Sequence, residues 1–155
     1  MPGYRLHLFC GLLTYLAILQ CMQYQAINFS IIIQGLIFCL LGALFPDIDI
    51  KSKGQKLYYS IFFVLLLWLL YQHQFCLFAV MSLLGIIPIL VRHRGIFHHF
   101  WFLLIMVLMM IGAIKIWCGS YATLLISNCW FFFVGSVSHV VLDRTVSWFK
   151  KTLNR

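Results

Sequence analysis

Apolar runs close to twenty residues long, separated by short polar breaks, dominate this sequence and leave little choice in what it can form. Coiled as helices, runs of that length match the hydrocarbon thickness of a bilayer. Charged residues make up only 9% of the 155 positions, against about 25% in a soluble domain. Both features point to an integral membrane protein of the all-α class. The expected architecture is a polytopic transmembrane helical bundle of about six spans, with residues 1–155 forming a single domain.

Breaks in the hydropathy place the spans. The first covers residues 6–22, ahead of the polar turn Gln23-Tyr24-Gln25. The second covers 26–45 and stops at Pro46, because a proline disfavours helix at the residue before it. A short basic loop, 47–56, leads to the third span at 57–71, which Gln72-His73-Gln74 breaks. The fourth, 75–91, is short and carries Pro88 near its end. The fifth covers 96–117 and the sixth 121–142, leaving a basic tail through Arg155. Arg5 followed by apolar residues has the start of a signal peptide, but no small-x-small cleavage site follows, so an uncleaved first span is expected. The six cysteines show no C-x-x-C spacing and fall mostly inside apolar runs. They read as small hydrophobes rather than a disulfide framework or a thiolate metal site.

Three polar islands interrupt the apolar background: residues 45–49, 92–99 and 138–145. Together they hold all three acidic residues, Asp47, Asp49 and Asp143, and four of the six histidines. Counting six crossings from the N-terminus puts all three islands, and His7 at the start of the first span, on one face. The basic residues agree: Arg5, Lys51, Lys53, Lys56, Arg92, Arg94, Arg144, Lys150, Lys151 and Arg155 fall on that face, and only Lys115 on the other. By the positive-inside rule that face is cytoplasmic, and the basic clusters are loop anchors rather than a nucleic-acid surface.

Residue types in the islands suit a metal. His93 and His98 flank Arg94-Gly95, where glycine permits a tight turn. His139 and Asp143 are four apart and share one face of a helix. Imidazole and carboxylate together favour a hard or borderline divalent ion, Zn or Mn, with ligands enough for one or two ions. The candidate ligands are His7, Asp47, Asp49, His93, His98, His139 and Asp143. Taken singly, each reads as readily as a helix cap or a headgroup-level residue. Their convergence on one face of an otherwise apolar chain favours a site, since ionisable groups in membrane segments default to function. Arg94 is placed to pair with a phosphate or a developing oxyanion, and Asp49 to act as general base. His73 falls on the opposite face, and the aromatic runs read as belt packing.

At these residues the sequence resembles the YdjM-like family of inner-membrane proteins, described as membrane-bound metal-dependent hydrolases. A histidine followed by x-x-x-Gly matches His7 and Gly11, and Leu-x-Pro-Asp-x-Asp matches Leu44 to Asp49. His-Arg-Gly-x-Thr-His-Ser resembles residues 93–99, and a final Ser-His-x-x-x-Asp motif with a following threonine resembles residues 138–145. Phe97 stands where the pattern has threonine, His99 where it has serine, and Thr145 comes one residue early. None of these departures removes a proposed ligand. The resemblance implies a hydrolase.

The function expected is therefore metal-dependent hydrolysis of a lipid or phosphoester at the cytoplasmic face of the cytoplasmic membrane. Membrane lipid would be the partner, with no nucleic acid and no obligate protein partner. The alternative is a metal-ion transporter or metal-sensing membrane protein with the same ligands. Transporters place ligands near the midplane on broken helices, whereas these lie at helix ends.

Overall fold

A backbone in an apolar environment must satisfy its own polar groups, and each apolar run here does so by coiling into a helix. The computed structural model describes residues 3–22, 29–48, 51–90, 96–117, 119 and 122–153. Among them the regular structure is all helical: α1 (Tyr4–Cys21), α2 (Phe29–Leu44), α3 (Lys53–Tyr71), α4 (Phe75–Leu90), α5 (Phe100–Trp117) and α6 (Ala122–Leu153). Two 3-10 turns, Phe45–Asp47 and Ile96–His98, follow α2 and precede α5. The helices α1, α3 and α6 are long and apolar enough to cross a membrane, and Ile31–Asp47 and Phe100–Ile116 are shorter apolar stretches. Large apolar side chains such as Phe63, Trp101 and Met109 stand outward at 60% exposure or more, as expected where lipid and not water is the surrounding solvent.

Several ends differ from the hydropathy reading. Helix α3 begins at Lys53, four residues earlier than 57, because the Ser52 side chain accepts the Gln55 amide at 3.0 Å and caps the helix. Helix α5 begins at Phe100, since Ile96–His98 is wound as a separate tight turn. Helix α6 continues eleven residues past 142, to Leu153. No proline or glycine interrupts it there, and Lys150 and Lys151 lie in its last turn, at the favourable end of the helix dipole.

The trunk of the bundle is α2 against α6, with α1 laid across both. Glycines set the spacing. A Cβ added to Gly42 would stand 2.0 Å from the Phe132 carbonyl oxygen, and one on Gly135 would stand 2.0 Å from the Cys39 carbonyl oxygen. Backbone therefore meets backbone, the close approach that small residues permit between apolar helices. Gly11 does the same for α1, where an added Cβ would lie 2.7 Å from that of Ala43. These three contacts flank Ala43 and lie one helical turn from His7 and from His139. A core of Leu41, Leu44, Phe45, Ile48, Tyr58, Phe62, Phe97, Leu103 and Val140 joins the trunk to α3 and α5.

Candidate metal centre

Five polar side chains meet at the end of the trunk where α2 stops. Asp47 is carried there by the turn after α2: Pro46 and Ile48 are fully buried on either side of it, and Gln55 Nε2 donates to the Ile48 carbonyl at 2.8 Å. Its Oδ1 lies 3.4 Å from His98 Nε2 and 3.6 Å from His139 Nε2. His98 comes from the turn before α5. The neighbouring Phe97 ring is buried edge-on against Phe45 and Phe102, with centroids 5.4 Å away in both cases. Anchoring that ring in the core sets His98 against the polar group, with Nε2 3.4 Å from Asp143 Oδ2.

Helix α6 supplies two members at once. His139 and Asp143, four residues apart, bring Nε2 and Oδ2 to 3.5 Å. His139 is fully buried, and its Nδ1 lies 2.7 Å from the Ala43 carbonyl oxygen. A carbonyl only accepts, so Nδ1 carries the hydrogen and donates, leaving the lone pair on Nε2 facing the carboxylates. Metal-ligating histidines are held and oriented in this way. His7 of α1, also fully buried, stacks on the His139 ring at 3.7 Å and 12°, with Nε2 3.6 Å from Asp143 Oδ1.

Asp47, His98, His139 and Asp143 each offer one ligand atom, all within 4.8 Å of one another. Four of the six separations are 3.4 to 3.6 Å, close enough for these atoms to face one ion. They are too long for direct hydrogen bonds. Asp47 Oδ1, His139 Nε2 and Asp143 Oδ1 are buried without a hydrogen bond among the described residues, and such atoms call for a partner. The ion pairs of both carboxylates within the described structure are with histidine alone. Two carboxylates with inward-facing imidazole nitrogens can hold a divalent cation.

The sequence matches the family model described as YdjM inner membrane protein over residues 1–148. The chain belongs to this family. No curated protein and no solved structure matches it. In this YdjM-family chain, four of the residues singled out by sequence come together as one ligand group, and His7 sits against it on the far oxygen of Asp143. Asp49, His93 and Arg94 lie outside the described residues. His99 is exposed, and His73 sits in the α3–α4 turn with φ 55°. Phe97, where the family pattern has threonine, is a core anchor at 3% exposure.

Sequence reasoning missed the Ala43 carbonyl, which no side chain announces. It also missed Gly42 and Gly135. Their signal was present, since small residues recur at Gly35, Cys39 and Gly42 on one face of α2, the spacing of a close helix contact.

Proposed function

We propose that this protein is a membrane-bound metal-dependent hydrolase acting on a lipid or phosphoester at the cytoplasmic face of the membrane. The observation that carries the reading is the set of four ligand atoms within 4.8 Å of one another, with buried carboxylate and imidazole atoms left without hydrogen bonds. Asp47, His98, His139 and Asp143 hold one ion, Zn or Mn by donor type. A divalent ion so held supplies Lewis acidity and lowers the pKa of a water. Asp143 faces the ligand group with Oδ2 and His7 with Oδ1, so His7 is positioned to take up a proton beside the ligands. Asp49 and Arg94 keep the roles expected from sequence, base and phosphate partner. In this reading all six helices cross the bilayer, and the basic loops hold the site on the cytoplasmic side.

The transporter alternative draws less support. Asp47 and His98 stand in short turns at helix ends, and His139 and Asp143 on the continuous shaft of α6, none of them on a helix broken in mid-bilayer. The test is elemental analysis of detergent-purified protein after mild chelation and reloading, with His139→Ala and Asp143→Ala alongside. The expected result is one equivalent of Zn or Mn in the wild type and none in either variant, together with phosphoester or lipid hydrolysis that follows metal content. Folded wild type that takes up no metal would refute the proposal. Transport of the ion into proteoliposomes without any hydrolysis would favour the alternative.

A further inference from the structure

The outward face of α6 changes character where the helix passes the ligand group. In its apolar part Trp130 and Val141 stand 45% and 56% exposed, and about three turns apart they look the same way. The same face continues through Arg144, Trp148 and Lys151, all exposed and spaced to stack above Val141 on one side of the helix. We propose that Arg144, Trp148 and Lys151 form a binding site for the headgroup of an anionic phospholipid. The inference rests on α6 crossing the bilayer, and neither on hydrolysis nor on a bound ion.

Length sets the depth of these residues. Helix α6 runs unbroken from Ala122 to Leu153, and its part up to Asp143 covers about 32 Å. A bilayer's hydrocarbon core is about 30 Å thick, so the residues after Asp143 stand at the membrane surface. Trp148 comes about 7.5 Å further on, in the outer part of a headgroup layer about 5–7.5 Å deep. An indole, apolar in body with one polar N–H, belongs at that depth. Phe149 braces it edge-on, with centroids 5.3 Å apart at 80°. Arg144 precedes the ring by about one turn and Lys151 follows it by nearly one. Two long cationic side chains can therefore bend to one headgroup beside the indole.

Charge decides what covers this face. Arg144 and Lys151 make no ion pair among the described residues. The chain's only acidic residues are Asp47, Asp49 and Asp143, so no carboxylate follows in sequence to neutralise Arg144, Lys150 and Lys151. A second copy would bring the same excess of positive charge, +8 per chain, to the contact. An anionic headgroup brings the complementary charge, and its acyl chains lie against the apolar part of the same face, at Val141 and Trp130. Each Lys or Arg near an anionic membrane surface strengthens binding about fivefold, which makes the Arg144 and Lys151 pair worth about 25-fold.

Native mass spectrometry of the delipidated full chain in detergent, titrated with phosphatidylglycerol or with phosphatidylcholine, tests this by counting lipids bound per protein. The wild type should take its first phosphatidylglycerol more tightly than phosphatidylcholine. The double variant Arg144→Gln/Lys151→Gln should bind phosphatidylglycerol about 25-fold more weakly and phosphatidylcholine almost unchanged. Lys53→Gln/Lys56→Gln removes the same charge from two exposed positions at the start of α3 and should keep the preference. Equal weakening in the two double variants, or a wild type that binds both lipids alike, would overturn the proposal. A dimer without lipid preference, lost on Arg144→Gln/Lys151→Gln, would overturn it in favour of a second copy. Metal content of the same samples judges the hydrolase reading separately: lipid preference in protein that takes up no metal sustains this site alone, and metal without preference sustains the hydrolase alone.

Discussion

Replacing Gly135 with alanine should loosen the trunk and, through it, the metal centre. The new methyl carbon would stand 2.0 Å from the Cys39 carbonyl oxygen, 2.9 Å from its carbon and 3.0 Å from the Ala43 nitrogen. All three are backbone atoms, so no side chain can swing aside, and α2 and α6 must separate by about 1 Å to restore ordinary contact. Overpacking of this kind costs about 1–3 kcal/mol. The same displacement acts on the His139 Nδ1 to Ala43 bond, now 2.7 Å: stretched by that amount it exceeds hydrogen-bond range. Loss of such an orienting partner lowers metal affinity by about 10- to 100-fold. Gly112→Ala is the matched control, because nothing lies within 4 Å of its added Cβ, and in a helix the change should be neutral or stabilise by up to about 1 kcal/mol. Thermal unfolding in detergent and chelator competition for Zn measure the two effects. Gly135→Ala that melts and binds metal like Gly112→Ala would refute the packing account.

Other expectations concern the turns and the mid-bundle polar pair. Phe97→Ala should destabilise by about 3–5 kcal/mol and weaken metal binding, since the buried ring sets His98; unchanged metal affinity in folded variant would show that His98 is positioned by other means. Ser52→Ala removes the α3 cap and should cost about 1 kcal/mol in denaturant or thermal unfolding, with no loss expected if α3 instead starts at 57. Asn128 Nδ2 donates to Gln34 Oε1 at 2.9 Å between α6 and α2, and Asn128→Ala should lower stability by about 0.6 kcal/mol, up to roughly 1.7. A melting temperature unchanged by that substitution would assign the pair no share in holding the trunk.

Much of the site was legible because polar side chains in an apolar chain have few innocent uses. Asp47, His98, His139 and Asp143 stood out for that reason, and the i, i+4 spacing of the last two already put them on one helix face. His7 was legible as a candidate ligand on the same face, but its burial and stacking depend on Gly11 letting α1 approach Ala43. What could not be read is whatever the backbone supplies. The Ala43 carbonyl orients His139 from another helix, and its place follows from a packing distance rather than a residue type. The start of α3 was written in the sequence, as Ser52-x-x-Gln55, but hydropathy weights the span toward Leu57 and hides it. Even that pattern is used only in part, since the Gln55 side chain turns to Ile48 instead of back to the cap. Phe97 shows the reverse case: a departure from the family pattern inside a polar island proved to be core.

The four ligand residues lie far apart along the chain, with about fifty positions between Asp47 and His98 and about forty between His98 and His139. An ion bound by all of them would act as a cross-link closing two long loops, the kind of clip that removes most freedom from an unfolded chain. It would fasten the N-terminal helices, the start of α5 and the shaft of α6 at one knot. Stripping the ion from such a protein would then do more than silence a reaction, because the segments held together at that knot would part more easily along their whole length.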